Sequence, residues 1–283
     1  ENNGNIEIGS KNNNSSSDDY GIAIMPGLGD YIELAKVAGA TYIPPTSNSI
    51  TVKNKGSIHL NSGIRSSGIY VYSSNGTVNI ENTGDITFDS LGNGIILEGN
   101  TSNGNILNLG NIQLTKISES MIFGSFYGIK SISNTVIENN GNINLSCGTL
   151  STCYGIYNTG KTVLNDTKGV ITVSDSGLGS GIYIDLEKKY LESFNQDSFI
   201  VVENKGTINA GTGIEVKLEG INETTTPTIK IINSGTINNS SGTAIASSAE
   251  NYSGGVGIAL SANTNGTVAN NYNVTIENSG TIN

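Results

Sequence analysis

The stretch Asn82-Thr83-Gly84-Asp85-Ile86 decides the fold of this chain, because it is one copy of a motif, Asn-x-Gly-x-Ile, that recurs along the whole sequence. Seven further full copies begin at Asn2, Asn54, Asn108, Asn139, Asn204, Asn233 and Asn278. In one degenerate copy Thr167 takes the place of the Asn. Repeats of this kind indicate a solenoid, in which a single unit cannot bury its apolar face and stacked units do so together.

A second motif, Gly-Ile, falls once between successive copies of the first. Its glycines are Gly21, Gly68, Gly94, Gly128, Gly155, Gly181, Gly213 and Gly257. Apolar and polar residues alternate around both motifs, as in Ser49–Lys53, Ser57–Leu60 and Gly68–Tyr72. Alternation with a period of two is typical of strands that bury one face. Three such strands per unit predict an all-β fold, a right-handed parallel β-helix of about eight to nine coils with loop insertions.

We assign structural roles to the Asn and the Gly of the repeat. Gly takes a positive φ without a Cβ penalty, so we expect it to form the bend between two strands. Equivalent Asn side chains in consecutive coils are about 4.8 Å apart, a spacing that predicts a ladder of amide hydrogen bonds.

The repeat predicts a single domain, residues 1–283, interrupted by insertions. The insertions lie at about residues 25–49, 116–127, 185–199 and 246–256. A helix-like pattern at residues 31–38 could cap the open N-terminal end of the core. Solenoid loops carry function more often than coils do, so the insertions are candidate binding elements. Packing of their aromatic residues onto the coils is the alternative.

Cys147 and Cys153 are the two cysteines of the chain. In an oxidising compartment, cysteines this close in an otherwise cysteine-free sequence favour a disulfide that closes a short loop. Two free thiols are the alternative.

The charge balance excludes one class of partner. The net charge is −10, with a single Arg and a single His, and no Lys cluster exceeds the pair Lys188 and Lys189. A nucleic-acid-binding protein needs a basic face to neutralise phosphates, so no nucleic-acid partner is expected. The sequence also contains no apolar run long enough for a transmembrane helix.

Carboxylate pairs are the first place to look for chemistry, because glycoside hydrolysis needs two carboxylates at a defined separation. The candidate pairs are Asp18 with Asp19, Asp85 with Asp89, and Asp185 with Glu187. No cluster of Lys or Arg accompanies them to hold an acidic sugar, so we interpret them as solvated acids.

His59 follows Ile58 and therefore points outward from its strand. We expect no acid in register with it, and hence no nucleophile triad, which leaves His59 a plain surface role. Cysteine and histidine ligands are too few for zinc. The sequence therefore predicts no catalytic residue, no metal and no cofactor, and a protein that is not an enzyme.

One outward row of residues favours binding. The residues that follow Gly-Ile are Ala23, Tyr70, Ile96, Lys130, Tyr157, Tyr183, Glu215 and Ala259. Exposed aromatic rows are enriched at interfaces, although insertions that fold over this face would bury the row. Together with the apolar insertion at residues 116–127, the row gives the predicted binding residues. They are Met121, Phe123, Phe126, Tyr127, Tyr157 and Tyr183.

The recurring Val-x-Ile-x-Asn-x-Gly-x-Ile unit, with Gly-Ile between copies, resembles the passenger domains of single-chain bacterial autotransporters (type V secretion). Its Asn-, Ile- and Lys-rich style is most similar to the surface adhesins of fusobacteria, and its size to small passengers that engage CEACAM receptors. The resemblance implies a mature passenger on the bacterial cell surface, at the extracellular face of the outer membrane, or secreted. It also implies a cleaved signal peptide before this segment and an outer-membrane β-barrel translocator after it.

The expected function is adhesion, in which loops and one face of a rigid β-helix bind a host or bacterial surface receptor. The resemblance implies a host cell-surface glycoprotein with immunoglobulin-like domains as partner, and a role in virulence. Two alternatives stay open, namely a carbohydrate-active β-helix enzyme (lyase or glycosidase) and a purely structural stalk.

Overall fold

The chain folds into a parallel β-helix. In this computed structural model, the described residues are 1–8, 19–25, 49–61, 66–73, 76–89, 92–99, 103–114, 124–147, 151–174, 179–187, 199–219, 228–239, 256–263 and 273–283. They form strands and turns and contain no helix. The helix-like pattern at residues 31–38 lies outside the described residues, as do Met121 and Phe123.

Three parallel sheets form the three sides of the helix. Sheet A consists of the strands that end at the ladder Asn. They are β3 (Ser49–Asn54), β6 (Thr77–Asn82), β9 (Asn103–Asn108), β12 (Thr135–Asn139), β15 (Thr162–Asn165), β18 (Phe199–Asn204), β21 (Thr228–Asn233) and β24 (Asn273–Asn278).

Sheet B consists of the strands that follow the motif Gly. They are β1 (Asn5–Ile8), β4 (Ser57–Leu60), β7 (Asp85–Phe88), β10 (Asn111–Leu114), β13 (Asn142–Ser146), β16 (Val170–Ser174), β19 (Thr207–Ala210), β22 (Thr236–Asn239) and β25 (Thr281–Ile282).

Sheet C consists of the strands that contain Gly-Ile. They are β2 (Tyr20–Ile24), β5 (Ser66–Tyr72), β8 (Gly92–Glu98), β11 (Gly124–Ile132), β14 (Ser151–Asn158), β17 (Ser180–Glu187), β20 (Thr212–Glu219) and β23 (Val256–Asn263). The strand count of each sheet, eight or nine, confirms the predicted right-handed parallel β-helix of about eight to nine coils.

The core is a stack of aliphatic side chains in register from coil to coil. Ile58 pairs with Ile86 in sheet B, and Ile86 with Ile112, and all three are fully buried. The apolar residues that alternate with polar ones therefore face inward on each sheet, as the sequence pattern predicts. Their burial is the main source of stability in this fold, because burial of apolar surface stabilises by about 25 cal/mol per Å².

The asparagine ladder is continuous through the coils. The side-chain nitrogen of Asn54 donates to Asn82 Oδ1 at 2.7 Å, and that of Asn82 donates to Asn108 Oδ1 at 2.8 Å. The same bond then links Asn108, Asn139, Asn165, Asn204, Asn233 and Asn278 in order. Because the middle members are fully buried and bonded on both sides, the ladder satisfies polar groups that would otherwise destabilise the core.

The sixth coil corrects one prediction. Asn165, and not Thr167, occupies the ladder position, in register with Asn139 and Asn204. Its side chain donates to the Asn204 Oδ1 at 2.8 Å and to the Gly169 carbonyl oxygen at 3.2 Å. The turn from Asn to Gly spans four residues here and two in other coils, such as Asn139 to Gly141. The ladder is therefore not interrupted, because the turn lengthens instead.

The prediction of a positive φ at the motif glycines is wrong. Among the described glycines, only Gly76 and Gly99 have a positive φ, of 90° and 106°. The motif requires Gly for space: a Cβ on Gly84 would overlap the carbonyl oxygen of Gly56 in the preceding coil. Close stacking of the turns, rather than left-handed backbone, therefore selects this residue.

The described ends of two insertions, 116–127 and 185–199, belong to strands. Gly124 to Tyr127 open β11, Asp185 to Glu187 close β17, and Phe199 opens β18. These residues are therefore part of the coils rather than of loops. Within the described residues, no helix is long and apolar enough to cross a membrane.

Candidate binding site

Four tyrosines cluster on the outer face of sheet C. Three of them, Tyr127, Tyr157 and Tyr183, belong to the predicted binding residues, and the fourth is Tyr154. We call these four residues the tyrosine patch. Tyr154 was missed, although it precedes Gly155 just as Tyr127 precedes Gly128, so the repeated Tyr-Gly-Ile sequence was a signal for it.

The register of the strands explains the clustering. Tyr127 of β11 pairs with Tyr154 of β14, and Tyr157 of β14 pairs with Tyr183 of β17. In each pair the rings are stacked, with centroids 5.5 Å and 5.4 Å apart. Edge and tilted contacts join the two pairs, and the closest, Tyr154 to Tyr183, is 4.8 Å. Aromatic pairs at these distances contribute stability beyond the burial of their surface. These contacts hold the four rings of the patch in place.

A cation borders the patch on one side. The Lys130 ammonium lies 5.2 Å from the centre of the Tyr127 ring and 2.8 Å from Glu98 Oε1. Glu98 also accepts a hydrogen bond from the Tyr70 hydroxyl at 3.1 Å. The charges beside the patch are therefore held in place by specific partners.

Acidic residues border the opposite side. The Tyr157 hydroxyl donates to Asp185 Oδ2 at 2.7 Å, and the Ser180 hydroxyl donates to Glu215 Oε2 at 2.6 Å. Burial raises the pKa of the Glu215 carboxyl above its ordinary value, an effect that the Ser180 hydrogen bond and nearby Lys217 oppose. Burial likewise raises the pKa of the Tyr127 and Tyr154 phenols. The phenols therefore remain neutral hydrogen-bonding groups at physiological pH.

The outward row on sheet C is partly covered. Ala23, Ile96, Tyr183 and Ala259 are buried, with Tyr183 8% exposed. Tyr70, Lys130, Tyr157 and Glu215 are half-buried. The row is thus neither fully open nor fully covered. Within the tyrosine patch, the half-buried members are Tyr127, Tyr154 and Tyr157.

Phe126 does not have the exposed position that we predicted. Its side chain is 4% exposed and belongs to the apolar core, because it alternates along β11 with the outward Tyr127. Its partner in β14 is Cys153, which is also buried. This correction removes Phe126 from the binding residues and makes it a packing residue.

A disulfide joins Cys153 to Cys147 beside Phe126. The two Cα atoms are 6.4 Å apart, within the range that a disulfide spans. Because Cys147 directly follows β13 and Cys153 lies in β14, the bond fixes the corner between sheets B and C on the same strand as Tyr154 of the tyrosine patch.

His59 has an acid within reach, contrary to our prediction. Its Nε2 lies 3.2 Å from Asp89 Oδ2, and its Nδ1 lies 2.7 Å from Thr87 Oγ1. The reason is that Asp89 directly follows β7, which pairs in parallel with the strand of His59. The described residues contain no group of three or more His, Cys, Asp and Glu placed to hold a metal ion.

Comparison with known proteins adds no relative. No protein-family model matches the chain, and no curated protein or solved structure matches it either.

Proposed function

We propose that this chain is an adhesin module of a bacterial cell surface, in which the β-helix presents the tyrosine patch to a receptor on another cell. The observation that carries the proposal is the patch itself: four tyrosines in mutual contact on an outward sheet face. Tyrosine is enriched among the residues that dominate binding energy, because one rigid side chain supplies a large area and a hydroxyl.

The surroundings of the patch support the same proposal. Lys130, Asp185 and Glu215 place fixed charges at its border, as in interfaces where an apolar centre is surrounded by a polar rim. Such charges favour one partner over another more than they add affinity. The partner proposed is a cell-surface glycoprotein with immunoglobulin-like domains, of which the CEACAM receptors are the first to test.

The size of the patch defines how the receptor must bind. Adjacent strands lie about 4.8 Å apart, so three strands of sheet C span only about 10 Å. A stable interface buries about 800 Å² on each partner. The patch therefore serves as the central anchor of a larger contact that extends along the coils.

A structural stalk is the second candidate, and the partial cover of the row favours it. Ile96 and Tyr183, which point away from the core, are 4% and 8% exposed. If all of the patch served internal packing, the coils would act as a spacer. Receptor binding distinguishes the two functions.

The proposal is tested by flow cytometry of fluorescently labelled protein on cells that each express one immunoglobulin-like glycoprotein, including the CEACAM receptors. Binding to one receptor, lost in Tyr157→Ala and retained in Tyr72→Ala, supports adhesion through the patch. Tyr72 is a suitable control because it is a half-buried tyrosine on sheet C, three coils from Tyr157. Equal binding of both variants would contradict the proposed site, and binding to no cell in the panel would favour the stalk.

A further inference from the structure

Sheet B carries a second cluster of polar side chains, whose chemistry differs from that of the tyrosine patch. His59 of β4 lies beside Thr87 of β7 in register, and Asp89 directly follows β7. The imidazole contacts both neighbours, Thr87 through Nδ1 at 2.7 Å and Asp89 through Nε2 at 3.2 Å. A hydroxyl, an imidazole and a carboxylate thus contact one another in that order on one outward face.

The hydrogen bonds select one tautomer of the neutral imidazole. The Asp89 carboxylate can only accept, so the proton of the ring lies on Nε2. Nδ1 then has a free lone pair and accepts from the Thr87 hydroxyl. The alternative acceptor for that hydroxyl, the Ile58 carbonyl oxygen, is 3.5 Å away, and is therefore the weaker partner.

This arrangement has the three parts of an activated nucleophile: a hydroxyl, a base within hydrogen-bond reach, and a group that orients the base. Another outward threonine of the sheet shows what is specific here. Thr172, on β16, has its hydroxyl oxygen 3.2 Å from the Asn209 side-chain nitrogen, and the only histidine of the chain is His59. Thr172 is therefore a matched threonine without a base.

We propose that Thr87 is an acyl-accepting nucleophile, with His59 as its general base and Asp89 as the residue that orients His59. The substrate class is small acyl esters that reach the site from solvent. In the first step the Thr87 oxygen bonds to the ester carbonyl carbon, its proton passes to His59 Nδ1, and the alcohol leaves with that proton. Water then hydrolyses the acyl-threonine, which releases the acid and restores the hydroxyl.

The shape of the site limits the substrate and the rate. The His59 side chain is 35% exposed and that of Asp89 is 56% exposed, so the site is open rather than enclosed. Gln113 occupies the next register position beyond Thr87, on the side away from His59. An open site favours small, reactive esters, because it supplies little of the transition-state stabilisation that an enclosed site provides.

The probe for the test is p-nitrophenyl acetate, with release of p-nitrophenol measured by absorbance and the acetylated residue identified by mass spectrometry after an acid quench. We expect acetyl on Thr87 in the unmodified protein, none there in Thr87→Val, and at least about tenfold less in His59→Gln, a loss within the range of general-base catalysis. Asp89→Asn should lower labelling while His59 and Thr87 remain in place. Thr172→Val is the matched control and should react like the unmodified protein.

Several results would overturn the proposal. They are acetyl on lysines or the N-terminus only, acetyl on His59 that persists in Thr87→Val, and Thr87 labelling unchanged in His59→Gln. A far-ultraviolet circular dichroism spectrum of each variant shows whether the β-helix is folded. Because the site lies on sheet B and the tyrosine patch on sheet C, receptor binding and acylation can succeed or fail separately.

Discussion

The backbone of Gly128 lies so close to the Cγ2 methyl of Ile143 that a Cβ at position 128 would overlap it. This contact joins the two repeated motifs, because Gly128 belongs to Gly-Ile and Ile143 to Asn-x-Gly-x-Ile. The glycines of Gly-Ile and the isoleucines of the longer motif meet in this way in other coils, as Gly68 and Ile86 do. The two repeated motifs therefore pack against each other in the core, in addition to the turn that Asn-x-Gly-x-Ile forms between strands.

Gly128→Ala should destabilise the protein by about 1–3 kcal/mol, since an added methyl group in a filled core forces its neighbours apart. The control is Gly4→Ala, because a Cβ at Gly4 would meet nothing within 4 Å. Chemical denaturation of both variants measures the difference. A Gly128→Ala variant as stable as the parent would show that the contact is not tight.

Asn108→Ala should destabilise by about 2–4 kcal/mol. The change removes one of the two acceptors of the Asn82 side-chain nitrogen, which keeps the Gly84 carbonyl oxygen. It also removes the Asn108 donor to Asn139 Oδ1. Each buried polar group left unsatisfied costs about 1–3 kcal/mol, and the truncation also leaves a gap in the ladder. Asn105→Ala is the matched control, because Asn105 lies on the same strand, β9, and is exposed. Similar unfolding free energies for the two variants would contradict a structural ladder.

Phe126→Ala should destabilise by about 3–5 kcal/mol, because it removes a large side chain from the core. Phe199→Ala, at a position that is 51% exposed, should change stability by less than about 0.5 kcal/mol. Thermal melts report both effects. If Phe126→Ala instead leaves the melt unchanged and lowers receptor binding alone, Phe126 is a binding residue and not a packing residue.

Glu215→Gln should stabilise the protein at neutral pH. Burial raises the pKa of Glu215 in the folded state, so ionisation of this carboxyl costs more free energy in the folded protein than in the unfolded chain. This cost is a disadvantage for the folded state. The disadvantage is present above the folded-state pKa and disappears as pH falls toward the ordinary value of 4.5. Melting temperatures of the parent and the variant should therefore differ most near pH 7 and converge near pH 4. A difference that grows on acidification would contradict the burial effect.

Much of the fold could be predicted from the sequence because its information is periodic. Alternating residues such as Ile50 and Val52 specify which side of a strand faces the core, and the repeated Asn specifies where the coils align. The strand order of three parallel sheets then follows from stacking. Phe126 was misplaced because its insertion was assigned to a loop, although it continues the inward alternation of β11.

The candidate sites needed distances between coils, which a single strand does not encode. His59 and Asp89 meet because β4 and β7 pair in a particular register and because the imidazole turns toward both neighbours. The tyrosine contacts depend in the same way on the pairing of Tyr157 with Tyr183. Turn length is a second source of error, since the extra residues after Asn165 hid its place in the ladder.

The most direct test of the proposed function is a titration of receptor-bearing cells with labelled protein carrying Tyr157→Ala, beside the parent and Tyr72→Ala. Removal of a central aromatic anchor predicts binding at least about tenfold weaker, equivalent to about 1.4 kcal/mol, for Tyr157→Ala. The variant should still unfold cooperatively, and Tyr72→Ala should bind like the parent. Parent-like affinity of a folded Tyr157→Ala would contradict the claim that the tyrosine patch is the receptor-binding surface.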